Sequence, residues 1–163
     1  MRILHILDHS IPLHSGYTFR TRSILREQRA LGWETFHVTG SKQGPTEAAD
    51  ETIDGLHFYR TPAEAGVLSR LPGFNQKQVI DGLTRRLEQI IPQIKPDVLH
   101  AHSPCLNAIA ALRAGRKFGI PVVYEVRAFW EDAAVDHGTS KEFGLRYKLT
   151  RALETYALKN VDA

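Results

Sequence analysis

The decapeptide KPDVLHAHSP, Lys95 to Pro104, decides how the rest of the chain is read. An apolar run ends in two histidines, His100 and His102, two positions apart. Side chains alternate across a strand, so both imidazoles project from one face. Upstream, Phe74 to Ile94 places Val79, Leu83, Leu87, Ile90 and Ile94 at three- and four-residue steps, the pattern of an amphipathic helix. Downstream, Cys105 to Phe118 reads as a helix and PVVYEVR, Pro121 to Arg127, as a strand. Helix, strand, helix, strand in that order predicts right-handed βαβ units and a mostly parallel sheet covered on both faces.

The remaining chain fits that scheme. RILHILD, Arg2 to Asp8, is a short strand ended by a loop of turn formers. Thr18 to Leu31 is helical, with Phe19, Ile24, Leu25 and Leu31 as apolar members and Gly32 at its C-terminus. ETFHVTG, Glu34 to Gly40, is a second strand, and Thr52 to Pro62 a third, or a hairpin turning at Asp54-Gly55. Lys141 to Lys159 is a last helix, and VDA reads as the start of a sixth strand. The fold class is therefore α/β, a doubly wound Rossmann-like sheet. Residues 1–163 form one domain, expected to be a piece of a longer protein because a new strand begins where the sequence stops.

Composition narrows the function classes. Apolar residues are 42% and charged residues 24%, which suits a globular chain with a real core. A net charge of +3 is too small to point to nucleic acid. With one cysteine, Cys105, no internal disulfide can form. The N-terminus has neither a signal-type apolar run nor a small-residue cleavage site, and no window nears the ~20 apolar residues of a membrane span. A cytoplasmic location is expected.

In such sheets ligands bind beyond the carboxyl ends of the strands. In the first loop Gly16 lies just before a helix, where backbone N–H groups can face an anion, and Arg20 and Arg22 add positive charge. The bland reading is a turn glycine and a solvated helix face. The pattern is not GxGxxG, so no dinucleotide fingerprint is present. In the fourth-strand loop, His102 stands at the strand end as a catalytic or substrate-contacting candidate. His100, one step deeper, reads as a hydrogen-bonded packing residue. Two histidines and one cysteine are too few for a zinc site, so no metal is expected. In the fifth-strand loop, Glu125 and Arg127 share a face. Arg127 can clamp a carboxylate or phosphate through two parallel hydrogen bonds, or pair with Glu125 as structure. Glu131 and Asp132, next to Trp130, read as exposed or helix-capping carboxylates rather than an acid/base pair.

Taken in order, the first glycine loop with RTRSILREQRALGWETFHVTG, then IKPDVLHAHSP, GIPVVYEVRAFWED and ALETYALKNVDA, resemble the N-terminal domain of retaining family 4 glycosyltransferases. These have the two-domain GT-B architecture. The stretch YEVRAFWEDAAVDHGT is most similar to a bacterial subgroup linked to exopolysaccharide and exosortase systems. The resemblance implies transfer of a sugar from a nucleotide diphosphate sugar to a saccharide or lipid-linked acceptor, with retained anomeric configuration and no metal or other cofactor. It implies that this domain holds the acceptor, while a C-terminal nucleotide-sugar-binding domain, absent from this chain, carries most donor contacts. It maps the family histidine onto His102, near the transferred sugar, and the loop glycine onto Gly16, near the donor diphosphate. The family often has two adjacent glycines, where this chain has Ser15-Gly16. Arg127, Glu125 and Arg20 become substrate-binding candidates.

Two other readings compete: a stand-alone doubly wound nucleotide or metabolite module, and a fragment of a GT-B nucleotide-sugar epimerase. Peripheral contact with an anionic membrane surface is a further expectation. It rests on AGVLSRLPGF, with Val67, Leu68, Leu71 and Phe74 beside Arg70, and on Arg20, Arg22, Arg26 and Arg29 of the first helix. Against it stands a solvated helix face.

Overall fold

The computed structural model describes residues 1–46, 48–62, 74–128 and 144–163. The elements are β1 (Arg2–Leu7), α1 (Gly16–Ala30), β2 (Glu34–Thr39), a 3-10 turn (Ser41–Gln43), β3 (Asp50–Ile53), β4 (Leu56–Arg60), α2 (Phe74–Ile94), β5 (Val98–His102), α3 (Cys105–Phe118), β6 (Val122–Glu125) and α4 (Leu145–Asn160). The strands form one sheet in the order β3-β4-β2-β1-β5-β6. All neighbours are parallel except the β3/β4 hairpin. That hairpin turns at Asp54 (φ 51°) and Gly55 (φ 71°), two successive left-handed residues as a tight primed turn requires. Residues 65–73 of the AGVLSRLPGF stretch and residues Trp130, Glu131 and Asp132 lie outside the described residues.

The two faces of the sheet differ in chemistry. Leu4, Ile6, Val38, Leu99, Ala101 and Val122 pack in one apolar cluster with Leu83, Leu87, Ile90 and Ile94 of α2 and Ala108, Ala111 and Leu112 of α3. Helix α4 lies against α3. Alternation sends the intervening residues to the other face. There His5 of β1 is in register with His37 of β2 and His100 of β5, and His102 with Glu125 of β6. Among the described residues a smaller apolar cluster, Leu7, Ile11, Leu25, Leu56 and Phe58, lies on this side.

Helix α1 covers the histidine face, and its rotation corrects one expectation. Its buried residues are Thr18, Thr21 and Leu25, whereas Phe19 is 53% and Leu31 69% exposed. A polar face needs polar partners, so the helix turns threonines inward and leaves two apolar side chains in solvent. The VDA segment is also not a strand, although Tyr124 N–H donates to Ala163 O (2.9 Å) and Asp162 N–H to Val122 O (2.9 Å). Among the described residues no helix is long and apolar enough to cross a membrane.

Helix α3 meets the sheet through Gly115. A Cβ there would lie 2.7 Å from both Ile120 O and Val122 Cγ2, and the first is backbone that cannot swing aside. Gly115→Ala is therefore expected to lower the unfolding free energy by about 1–3 kcal/mol, the cost of overpacking exceeding the gain in helix propensity. Urea denaturation of the chain checks this, and an unchanged or raised midpoint contradicts it.

Candidate functional site

The site is built at the carboxyl ends of β1, β5 and β6. After β1 the chain passes through Ser10, where Gln43 receives the Ser10 N–H at 2.8 Å and returns its own amide to Ser10 O at 3.2 Å. Arg60, fully buried at the end of β4, donates to Ile11 O at 2.6 Å and pairs with Glu51. Both contacts hold the loop from the side of β4. The loop then enters α1 at Ser15, whose Oγ accepts the Thr18 N–H at 3.1 Å and contacts His9 Nε2 at 2.8 Å. So the residue in place of the family's usual glycine is a helix cap.

Gly16 is the first residue of α1, and a Cβ added there meets nothing within 4 Å. Among the described residues nothing occupies the place a Cβ would take there, at the N-terminal end of α1 where helix N–H groups are left over.

Four of the sequence candidates come together in one ion network. Glu125 Oε1 pairs with Arg20 at 2.7 Å and accepts from Arg127 Nε at 3.3 Å. Glu125 Oε2 lies 2.8 Å from His102 Nδ1, 3.3 Å from Arg127 Nη2 and 3.7 Å from His100 Nε2. Arg127 also donates to Tyr17 O (3.1 Å) and Thr21 Oγ1 (3.0 Å), and its guanidinium sits 4.2 Å from the centre of the Tyr17 ring. Its backbone N–H donates to Ser103 Oγ at 2.8 Å, joining the ends of β5 and β6. Arg127 thus clamps a carboxylate, and that carboxylate is Glu125. Arg20, 60% exposed, is the outward member of the network.

The burial of the two β5 histidines is the reverse of the expected one. His102 is fully buried, while the His100 side chain is 17% exposed. His102 lies between the rings of His5 and His100, and the Arg127 guanidinium, itself tied to Tyr17 O and Thr21 Oγ1 of α1, reaches its Nδ1 at 2.6 Å. The His102 ring stacks on His100 at 4.2 Å and its Nε2 meets His5 Nδ1 at 2.9 Å. His5 in turn reaches the Gln28 side chain at 2.8 Å. His37, beyond His5, bonds His57 O and Thr35 Oγ1.

These environments set the protonation states. Burial lowers His102 to about 4, with the positive charges of His100 and Arg127 adding to it and the Glu125 hydrogen bond opposing. Burial also takes His5 well below its ordinary value and lowers His100. For Glu125 burial acts upward, but the hydrogen bonds and charges of His102 and Arg127 outweigh it and hold the carboxyl well below the usual range. At neutral pH the site is a carboxylate, two guanidiniums and neutral imidazoles.

His5, His100 and His102 bring one nitrogen each within 4.8 Å of one another, so these three could hold a metal ion. The His5–His102 separation of 2.9 Å is that of a hydrogen bond, below the ~3.3 Å between two nitrogens on one tetrahedral zinc. Arg127 and Arg20 already supply the positive charge that Glu125 balances.

Sequence reasoning missed His5, Tyr17 and Gln28. The signal for His5 was present, a histidine inside an otherwise apolar strand. Its partner became visible only with the register of β1 against β5.

A family model described as a glycosyl transferase 4-like domain matches residues 15–163. The chain belongs to this family. A sulfoquinovosyl transferase of Arabidopsis thaliana is 27% identical over 110 residues, which is 67% of this chain and 19% of that protein. Sucrose-phosphate synthase from Thermosynechococcus elongatus superposes with a TM-score of 0.71 at 16% identity, over 99% of this chain and 41% of that one. MurG from Acinetobacter baumannii gives 0.54 at 11% identity, over 99% and 39%. The glycosyl transferase 4-like chain therefore has the fold of a GT-B glycosyltransferase half and spans less than half the length of each of these proteins.

Proposed function

We propose that the chain is the acceptor-side wall of a retaining GT-B glycosyltransferase. It moves a sugar from a nucleotide diphosphate sugar to a saccharide or lipid-linked acceptor in exopolysaccharide or glycoconjugate synthesis. A second domain of the same protein supplies the nucleotide site. The observation that carries this reading is the convergence of Arg20, Glu125, Arg127 and His102 beside the capped N-terminus of α1. Open space at Gly16 gives a diphosphate access to the first-turn N–H groups, and Arg20 adds a positive charge one turn further on. A retaining reaction with a departing diphosphate needs such anion stabilisation more than a protein base. His102 acts in this scheme from beneath, by fixing Glu125 and Arg127. The arginines of α1 make contact with an anionic inner-membrane surface a second part of the proposal.

The test is transfer from a panel of nucleotide sugars by a protein joining this chain to its nucleotide-binding domain, with the product anomer read by NMR. Retention is expected, and the 163-residue chain alone is expected to be inactive. Inversion of the anomer, or turnover by the chain alone, overturns the reading. Gly16→Ala is expected to leave stability unchanged, since the Cβ meets nothing, and to reduce transfer about tenfold or more by blocking the approach of the diphosphate. Equal transfer by the variant removes Gly16 from the site.

A further inference from the structure

Helix α1 carries a second charged face that the transfer site does not use. Phe19, Arg22, Arg26 and Arg29 recur at three- and four-residue steps, so they form one stripe along the helix. Arg20 and Arg22 are two positions apart and point to different sides. Arg20 pairs with Glu125 at the end of β6, and Arg22 with Asp54 in the β3/β4 turn at 3.2 Å. β6 and β3 are the two opposite edges of the sheet. Between the stripe and the hairpin lies an open groove of about 440 Å³. Its walls carry Arg22, Arg26, Arg29 and Asp54, and the buried side chains of Leu25 and Leu56 lie at its floor. Three guanidiniums thus share the groove with one carboxylate. Glu27 pairs with Arg26 at 2.8 Å but is not part of the lining.

Arg29 is held in place by neutral atoms. Its Nε donates to Thr35 Oγ1 at 2.7 Å and its Nη1 to Gly55 O at 3.5 Å. Among the described residues no carboxylate pairs with it, so its charge is uncompensated and its head is fixed in advance, which lowers the cost of binding an anion. Guanidinium forks match the oxygens of a phosphate. A phosphate monoester carries about −1.5 to −2 at pH 7, close to the excess positive charge of the groove, whereas a diester carries a single charge. The rim is apolar at both ends. Phe19, 53% exposed, precedes the arginines, and Leu31, 69% exposed, follows them. Arginines flanked by apolar anchors suit a helix lying at a lipid surface, and a water-soluble anion has no use for the anchors. We propose that the groove between α1 and the β3/β4 hairpin is a subsite for the phosphate monoester headgroup of a lipid, held by Arg22, Arg26 and Arg29. This rests on the membrane part of the function proposed above and names the lipid group that the surface contact selects. Asp54 competes with that phosphate for Arg22 and so limits the affinity.

The test is co-sedimentation of the protein joining this chain to its nucleotide-binding domain with phosphatidylcholine vesicles. One set contains phosphatidic acid, a monoester, and the other phosphatidylglycerol, a diester, in amounts that match the two sets in zeta potential. The wild type is expected to bind the phosphatidic acid vesicles about threefold or more tightly. Asp54→Asn removes the competing carboxylate, and asparagine tolerates the left-handed φ of 51° at that position. This variant is expected to bind phosphatidic acid vesicles about threefold more tightly than the wild type. A gain of binding cannot come from misfolding. Arg22→Gln with Arg26→Gln is expected to weaken binding about tenfold or more and to erase the difference between the two lipids. Equal binding of both lipids by the wild type leaves the membrane contact and overturns the subsite, as does an Asp54→Asn variant that binds no tighter. No recovery with either lipid removes the membrane contact and the subsite with it. If glycerol 3-phosphate alone shifts the Arg29 Nε–H resonance while the vesicles show no preference, the groove takes a free phosphate ester and the lipid assignment falls. Transfer to a water-soluble acceptor, measured without vesicles, tests the glycosyltransferase reading by itself, and its failure leaves a lipid preference standing.

Discussion

Replacing Arg127 with leucine is expected to destabilise the chain by about 3–5 kcal/mol, the range for removing one partner of a buried ion pair. The Arg127 side chain is 8% exposed and Glu125 17%, so neither charge is well screened by water. Removing the guanidinium strands Glu125 beside the buried ring of His102, with only the exposed Arg20 as counter-charge. It also removes the donor to Thr21 Oγ1 and one of the donors to Tyr17 O, and takes away the cation over the Tyr17 ring. Arg127→Lys should recover less than half of this loss. An ammonium cannot bond Glu125 twice and reach α1 at once. Double replacement, Arg127→Leu with Glu125→Leu, is expected to be more stable than Arg127→Leu alone, because no uncompensated charge remains. Chemical denaturation of the four proteins decides the matter. If the double variant is the less stable, the cost arises from lost packing and not from the orphaned carboxylate.

The fold was legible because its signals are local. Asp54-Gly55 allows a tight hairpin turn, α2 repeats its apolar residues over five turns, and the run DVLHAH ends where β5 ends. The candidate site was legible in its members but not in its geometry. Arg20, Glu125, Arg127 and His102 could each be picked out from their place after a strand or in the first helix. Their pairing depends on the register of β5 against β6 and on where α1 brings Arg20, which no spacing along the chain encodes. The face that α1 covers explains the error over Phe19 and Leu31. Apolar periodicity assumes an apolar partner, and the face under α1 is a row of histidines. His100 and His102 share a strand face, so alternation could not say which is covered. Arg127, tied to Tyr17 and Thr21 of α1 and set against His102, decides that.

That row of histidines should make the fold sensitive to acid well above the carboxylate range. Burial lowers His37 to about 4, with the charges of Arg29, His57 and Arg60 adding to it and the hydrogen bond to His57 O opposing. His102 is lowered to about 4, chiefly by burial, and burial takes His5 well below its ordinary value. The unfolded chain protonates its histidines near pH 6.5, while the folded chain keeps these rings neutral until far lower. Between those values the unfolded state binds more protons, so stability falls as pH drops. For His37 alone the window runs from 6.5 to about 4 and corresponds to about 3 kcal/mol, at a slope of up to 1.4 kcal/mol per pH unit. His5 and His102 act through one shared hydrogen bond, so they add one further steep step rather than two independent ones. Glu125, held below its ordinary 4.5, contributes stability that is lost only below that pH, so the two effects separate along the axis. Urea midpoints measured from pH 7.5 to 4.5 are expected to hold steady at first and then fall continuously below about 6.5. His37→Gln, which can still donate to His57 O and accept from Thr35, should start lower at pH 7.5 and descend with a slope smaller by about one proton. A midpoint that stays level down to pH 5 would mean that the buried rings accept protons in the folded state. The neutral-imidazole account of the whole face would then fall.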